Sequence, residues 1–226
     1  MSEDQNITAS KIEEEKEPSS LTLIFALGIA GFISGIILVG TYLYTLPLIE
    51  ANKADAMKNA IFKVLPNCNS FKTLKLENGV LVEQKENEKQ KKENDDEAFV
   101  IYAGYNANKK LIGFAIPGSE PGFQDIIGAI FGYDAVNKKI IGFEVLESKE
   151  TPGLGDKIFK NADFQTNFKA LSVDPSIVLV KSGQKQADHE VDGISGATIS
   201  SKAVVGLLNN TMSIWRKAID DYIKKN

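Results

Sequence analysis

The run Asp192-Gly193-Ile194-Ser195-Gly196-Ala197-Thr198-Ile199-Ser200-Ser201 places small residues and hydroxyls just ahead of a stretch with helical patterning. That arrangement suits a phosphate. Backbone N–H groups and the dipole at a helix start favour an anion, and a neighbouring hydroxyl can be esterified to it. Gly196 and Ala197 leave room for an enzyme that installs such a group. The run is no dinucleotide fingerprint or P-loop, because it has neither G-x-G-x-x-G spacing nor a lysine–hydroxyl pair. On the residues alone a second reading stands beside the first: a plain N-cap, with Ser or Thr satisfying the amides of the first turn.

A second turn, Glu150-Thr151-Pro152-Gly153-Leu154-Gly155-Asp156-Lys157, has a different chemistry. Pro152 fixes one dihedral, while Gly153 and Gly155 permit unusual ones. Thr151 offers a hydroxyl and Leu154 an apolar side chain, so the turn could line the edge of a planar ring. It reads equally well as a tight loop between a strand and a helix. Gly118 to Asp125 is a third loop rich in turn residues and carries little alone.

Other chemistries find few residues. Cys68 is the only cysteine and His189 the only histidine. An internal disulfide, an iron–sulfur site, a zinc cluster and bis-histidine haem ligation are therefore excluded, and no metal site is expected. A hydrolase built on Ser195 and His189 has no nucleophile elbow behind it. No catalytic acid or base is assigned. The net charge of −4 gives no basic surface for a nucleic acid.

The elements that must hold these turns begin with a membrane anchor. Residues 21 to 49 carry no charge, and a helix needs about 20 apolar residues to cross a bilayer. Gly31 and Gly35 form a small-xxx-small pair, which is either ordinary glycine enrichment or a packing face for another membrane helix. The long acidic segment ahead argues against a cleaved signal peptide. The expected organisation is a polar acidic tail over 1–20 and a transmembrane helix over 21–48 that ends near Pro47. An amphipathic helix and charged linker region follow over 49–97, then a domain core over 98–226. Lysines after the anchor outnumber those before it, a weak bias toward a cytoplasmic large domain.

From residue 98 the texture is that of short strands: 99–102, 111–116, 126–133, 140–146 and 177–180. Asn108-Lys109-Lys110-Leu111-Ile112-Gly113-Phe114 is echoed by Asn137-Lys138-Lys139-Ile140-Ile141-Gly142-Phe143, which predicts two similar hairpins. The glycines of the echo would relieve crowding where chains approach closely. A short helix is expected near Phe164–Phe168, and residues 200–222 read as a closing helix. The fold class is α+β, with a twisted antiparallel sheet at its centre.

The anchor, the turn from Glu150 to Gly155, and the run from Asp192 to Thr198 followed by Ser200-Ser201-Lys202-Ala203-Val204 together resemble the G subunit of the Rnf electron-transport complex. That subunit is a member of the FMN-binding domain family, and the C subunit of the sodium-pumping quinone reductase is its relative. The resemblance in architecture runs from the anchor to the closing helix.

It implies FMN bound covalently to Thr198 through a phosphoester. A separate flavin transferase would use FAD with magnesium, join FMN to the hydroxyl and release AMP. Asp192, Ser195, Gly196, Ala197 and Thr198 would form the recognition motif. Ser195, Gly196, Ala197, Thr151, Gly153 and Leu154 would surround the cofactor. The chain would relay electrons one at a time among other membrane, flavin and iron–sulfur subunits of a translocase. That complex would couple ferredoxin:NAD electron transfer to sodium or proton transport. The flavin domain would lie on the outer face of the cytoplasmic membrane, against the lysine bias.

Family members often carry histidine where this chain has Lys149. The charged segment 83–97 is also unusual, so partner contacts stay open. Two alternatives remain: a flavoprotein of a quinone-reducing or extracellular electron-transfer system, and a flavin-free anchored assembly protein.

Overall fold

The computed structural model describes residues 19–84 and 100–225. Residues 1–18 of the acidic tail and nearly all of the charged segment 83–97 lie outside these residues, as does Phe99. The chain divides into two units, residues 1–52 and 53–226.

Helix α1 spans Ser20–Val64. Within the first unit its apolar side chains face outward on every side, with Ile24, Phe25, Phe32, Ile36 and Leu38 all exposed. Mean hydropathy reaches 2.5 over an 18-residue window. A helix that is apolar all round and exposed all round suits lipid, not water.

The helix does not end at Pro47, as its sequence suggests; it continues through it to Val64. Proline removes one N–H bond and crowds the preceding turn. Tertiary packing downstream compensates: Ala60, Ile61 and Val64 are buried against the sheet, each larger side chain worth about 1.5–3 kcal/mol. The expected separate helix after residue 53 is thus the last turns of α1.

In the second unit seven antiparallel strands form one sheet in the order β2-β1-β3-β4-β5-β6-β7. They are β1 Ser70–Glu77, β2 Val80–Glu83, β3 Val100–Tyr105, β4 Leu111–Pro121, β5 Ile126–Asp134, β6 Lys139–Glu147 and β7 Leu171–Ser172. The sheet therefore begins at Ser70, inside the segment read from sequence as helix and linker. Strand β1 pairs with both β2 and β3, so it is an interior strand of the sheet. Its own alternation is weak, with Leu74 its one buried residue.

Both Asn-Lys-Lys segments are hairpin turns, and Lys109 and Lys138 adopt matching positive φ of 58° and 54°. Strand β4 runs five residues further than its apolar core, because Pro117 to Pro121 pair with β5. Pairing with β3 reaches Ala115 among the described residues. The third glycine loop shrinks accordingly to residues 122–125.

Two short helices follow, α2 Lys157–Lys160 and α3 Ala162–Thr166, then a 3-10 turn at Asn167–Lys169. A separate parallel pair comprises β8 Val178–Val180 and β9 Glu190–Asp192. Helix α4, Thr198–Lys225, closes the domain. Val204, Leu207, Leu208, Trp215 and Ile219 pack with Ile101, Phe114, Ile116, Phe131 and Tyr133 in one core. Ala115 and Ile130 point the other way, toward the end of α1. Successive residues of a strand face opposite sides, so β4 and β5 are buried on both.

Candidate functional site

Thr198 is the first residue of α4. The carbonyl of Ala197 accepts the first helical bond, from Ser201 N at 2.9 Å, so Ala197 occupies the N-cap position. No hydroxyl caps this helix from there. Ser201 Oγ instead donates back to Ala197 O at 2.9 Å and accepts from Ile194 N at 3.2 Å, which fixes the turn from inside. Thr198 and Ser195 are exposed, and neither hydroxyl has a hydrogen bond among the described residues. The amides of Thr198, Ile199 and Ser200 precede the first helical bond and have no acceptor among the described residues. An exposed helix start with three open donors and an open hydroxyl is a phosphate-compatible site.

The fold brings the second turn onto this one. Thr151 O accepts from Leu154 N at 3.1 Å and closes the turn, and Gly153 takes a φ of 78°. Gly196, at φ 82°, lies against Leu154: a Cβ built there would be 3.8 Å from Leu154 Cδ2. Gly155 abuts Ser200, whose Oγ would be 2.8 Å from a Cβ at that glycine. Leu154 and Ile199 are both exposed. The predicted residues Thr151, Gly153, Leu154, Ser195, Gly196, Ala197 and Thr198 therefore converge, with an apolar rim beside the open hydroxyl.

Asp192 holds the local backbone together. Its carboxylate accepts from the amides of Gln184 and Lys185, both at 3.1 Å, and so ties the preceding loop to β9. Its own amide donates to Asn167 Oδ1 at 3.1 Å. Asn167 is buried, and its Nδ2 donates to Phe164 O at 3.0 Å. Beside this clasp lies a cavity of about 470 Å³, lined in part by Lys157, Asn161, Lys185 and Ser195.

Sequence reading misses Asn167, because a lone asparagine in a short helical segment gives no signal before its tertiary partners are known. Asn167→Ala should cost about 1–3 kcal/mol, since it removes the acceptor of the part-buried Asp192 amide. Chemical denaturation of the second unit would measure this.

Glu150 opens the second turn in the sequence, but no role for its side chain is legible there. It is only 6% exposed. Burial pushes its carboxyl pKa up, but the Ser200 hydroxyl and the amides of Gln124, Phe123 and Asp125 outweigh that and hold it below the ordinary 4.5. A depressed folded-state pKa stabilises the fold above the unfolded value, and the contribution disappears as pH falls through the folded one. Melting temperature should therefore drop below about pH 4.5, and less steeply in Glu150→Gln. Thermal melts across pH 3 to 7, at roughly half-unit steps, would read the difference.

Among the described residues no group of three His, Cys, Asp or Glu side chains could hold a metal ion.

Residues 122–213 match the FMN-binding domain family. The chain is similar to the G subunit of the ion-translocating oxidoreductase complex of Methanosarcina acetivorans, 27% identical over 190 residues, 84% of this chain and 91% of that one. It is also similar to the G subunit of the proton-translocating ferredoxin:NAD(+) oxidoreductase complex of Clostridium ljungdahlii, 29% identical over 192 residues, with 84% and 89% covered. In fold it resembles the crystal structure of Shewanella oneidensis NqrC, with a TM-score of 0.61 at 20% identity, covering 78% of this chain and 100% of that one.

Proposed function

The chain belongs to the RnfG/NqrC-like family of FMN-binding subunits, and from that premise we propose that it is an electron-transfer flavoprotein subunit of an ion-translocating oxidoreductase complex, with FMN esterified to Thr198. The observation that carries the attachment residue is the open Thr198 hydroxyl at the head of α4, beside the Leu154 turn.

The site's donor set fits the cofactor's phosphate. Three amides without an acceptor among the described residues stand at the helix start. The neighbouring carboxylates of Glu150 and Asp192 are already occupied by protein donors. Bound FMN would supply the redox chemistry. The protein's part is to tether it at Thr198, place Leu154 and Ile199 beside its ring, and leave Gly196 exposed for the transferase; Ala197, expected from sequence to leave room as well, is instead buried in the core, where its side chain packs under the turn. No proton-transferring side chain is required of the chain itself.

Helix α1, apolar and exposed all round, supports a single-pass subunit, and an outward-facing flavin domain is the orientation we propose. A covalent link is of most use there, because flavin lost from that face is not readily replaced.

The partner complex has two forms. In one, the chain works beside iron–sulfur and flavin subunits between ferredoxin and NAD, the two reactants in the name of the Clostridium relative. In the other it serves a quinone-reducing complex, and the fold shared with NqrC is compatible with it. Co-purifying subunits separate them: a ferredoxin-reactive iron–sulfur partner favours the first, a quinone-reactive membrane partner the second.

The deciding experiment on the cofactor is purification from native membranes, intact mass, and flavin fluorescence after full denaturation. We expect an FMN adduct that peptide fragmentation places on Thr198. An unmodified chain from cells with an active flavin transferase would overturn the proposal and favour a flavin-free anchored role.

A further inference from the structure

We propose that Glu150 is the positioning residue of the flavin cradle, a buried carboxylate that locks the ring-side turn and the 122–125 loop to the attachment helix. This rests on the assignment of Thr198 as the flavin tether. Glu150 follows the β6 segment closely and opens the Thr151–Gly155 turn.

Its Oε1 accepts from Phe123 N at 2.8 Å and Gln124 N at 3.1 Å, in the loop between β4 and β5. Its Oε2 accepts from Ser200 Oγ in α4, two residues beyond Thr198. One side chain thus bridges three segments that are separate in sequence. The space around it is closed to anything larger. A Cβ at Gly122 would overlap Oε1, and one at Gly155 would overlap Oε2 and lie 2.8 Å from both Glu150 Cβ and Ser200 Oγ. The two glycines flank the carboxylate because nothing else leaves it room.

The chemistry favours a carboxylate. The donors aimed at it are backbone N–H groups and a hydroxyl, and an ionised carboxylate is acceptor-only, with about four lone-pair sites. Such charge-assisted bonds are the stronger kind. Outside the clasp, Lys149 pairs with Asp125 at 2.7 Å and holds the same loop from its exposed side.

The tether alone leaves a flavin free to swing about several single bonds. Orientation comes from the walls, and the walls keep one spacing only if the Leu154 turn and Thr198 are fixed to each other. Glu150 makes that connection without itself touching the exposed rim.

The test uses the full-length chain, co-expressed with a flavin transferase, as wild type, Glu150→Ala, Glu150→Gln and Ser200→Ala. Covalent flavin is read by mass, flavin order by visible-region circular dichroism and fluorescence anisotropy, and folding by far-ultraviolet dichroism.

Glu150→Ala and Ser200→Ala should keep covalent flavin within about twofold of wild type. Their visible dichroism should fall about threefold or more, as expected when a supporting shell is loosened. Glu150→Gln, which retains the shape and one carbonyl acceptor, should recover most of the signal. If Glu150→Ala does not fold, Ser200→Ala decides alone, since it removes one hydroxyl from the same carboxylate. Wild-type dichroism and anisotropy in a folded Ser200→Ala or Glu150→Ala protein would overturn the proposal. A wild-type chain without flavin on Thr198 would instead overturn the tether assignment beneath it.

Discussion

Thr198→Val is expected to abolish covalent flavin completely and leave the fold unchanged. Valine keeps the branched shape of threonine and loses only the hydroxyl, which has no hydrogen-bond partner among the described residues. The side chain is exposed at the first position of α4, so stability should stay within about 0.5 kcal/mol of wild type. The turn's integrity depends on Ser201 and Ile194, not on Thr198. Thr198→Ser, with a hydroxyl at the same place, should retain flavin. The measurement is fluorescence of the denatured band together with intact mass. A valine variant that still carries flavin through denaturation would remove Thr198 from the site.

Gly132→Ala should be the most damaging small substitution in the sheet, costing about 3 kcal/mol, at the upper end for overpacking. A Cβ at this position would overlap the carbonyl oxygen of Val64 and come within 2.9 Å of its carbonyl carbon. Gly142, its register partner on β6, meets the same residue: a Cβ would lie 2.6 Å from Val64 O and 2.7 Å from Val64 Cα. The obstacle at both sites is backbone at the end of α1, which cannot rotate away as a side chain would. The helix end would have to lift, uncovering Ala60, Ile61 and Leu65, all now buried. Denaturant midpoints of a water-soluble form of the second unit, compared with Gly128→Ala, would show the effect. A Cβ at Gly128 would make only an ordinary contact at 3.6 Å, so that variant should remain close to wild type. A Gly132→Ala protein as stable as Gly128→Ala would mean that the end of α1 is not held against the sheet.

Those glycines show how far sequence reading reaches. The repeated Lys-Lys-hydrophobic-hydrophobic-Gly-Phe pattern predicts hairpins and close approach, and both are found, because turn chemistry and a missing Cβ are local properties. It cannot say that α1 is what approaches Gly142, since the contact joins residues far apart in the chain. Pro47 misleads for a related reason. Proline's cost is local and visible, whereas the packing of Ile61 and Val64 that sustains the helix beyond it is not. Strand β1 escapes sequence reading because Ser70–Glu77 buries little of its own and owes its place to pairing with β2 and β3.

By itself the sequence determined the apolar anchor, the α+β class, the hairpins and the two glycine-rich turns, together with the hydroxyl that carries the family resemblance. These follow from composition, period and backbone preference, which act over a few residues. Only the tertiary structure decided that the two turns meet, with Leu154 against Gly196. It also decided that Asp192 ties down a loop through Gln184 and Lys185, and that Glu150 reaches Ser200 across the cradle. Those are contacts between distant segments. A buried donor or acceptor reveals its partner only once packing has removed water from both.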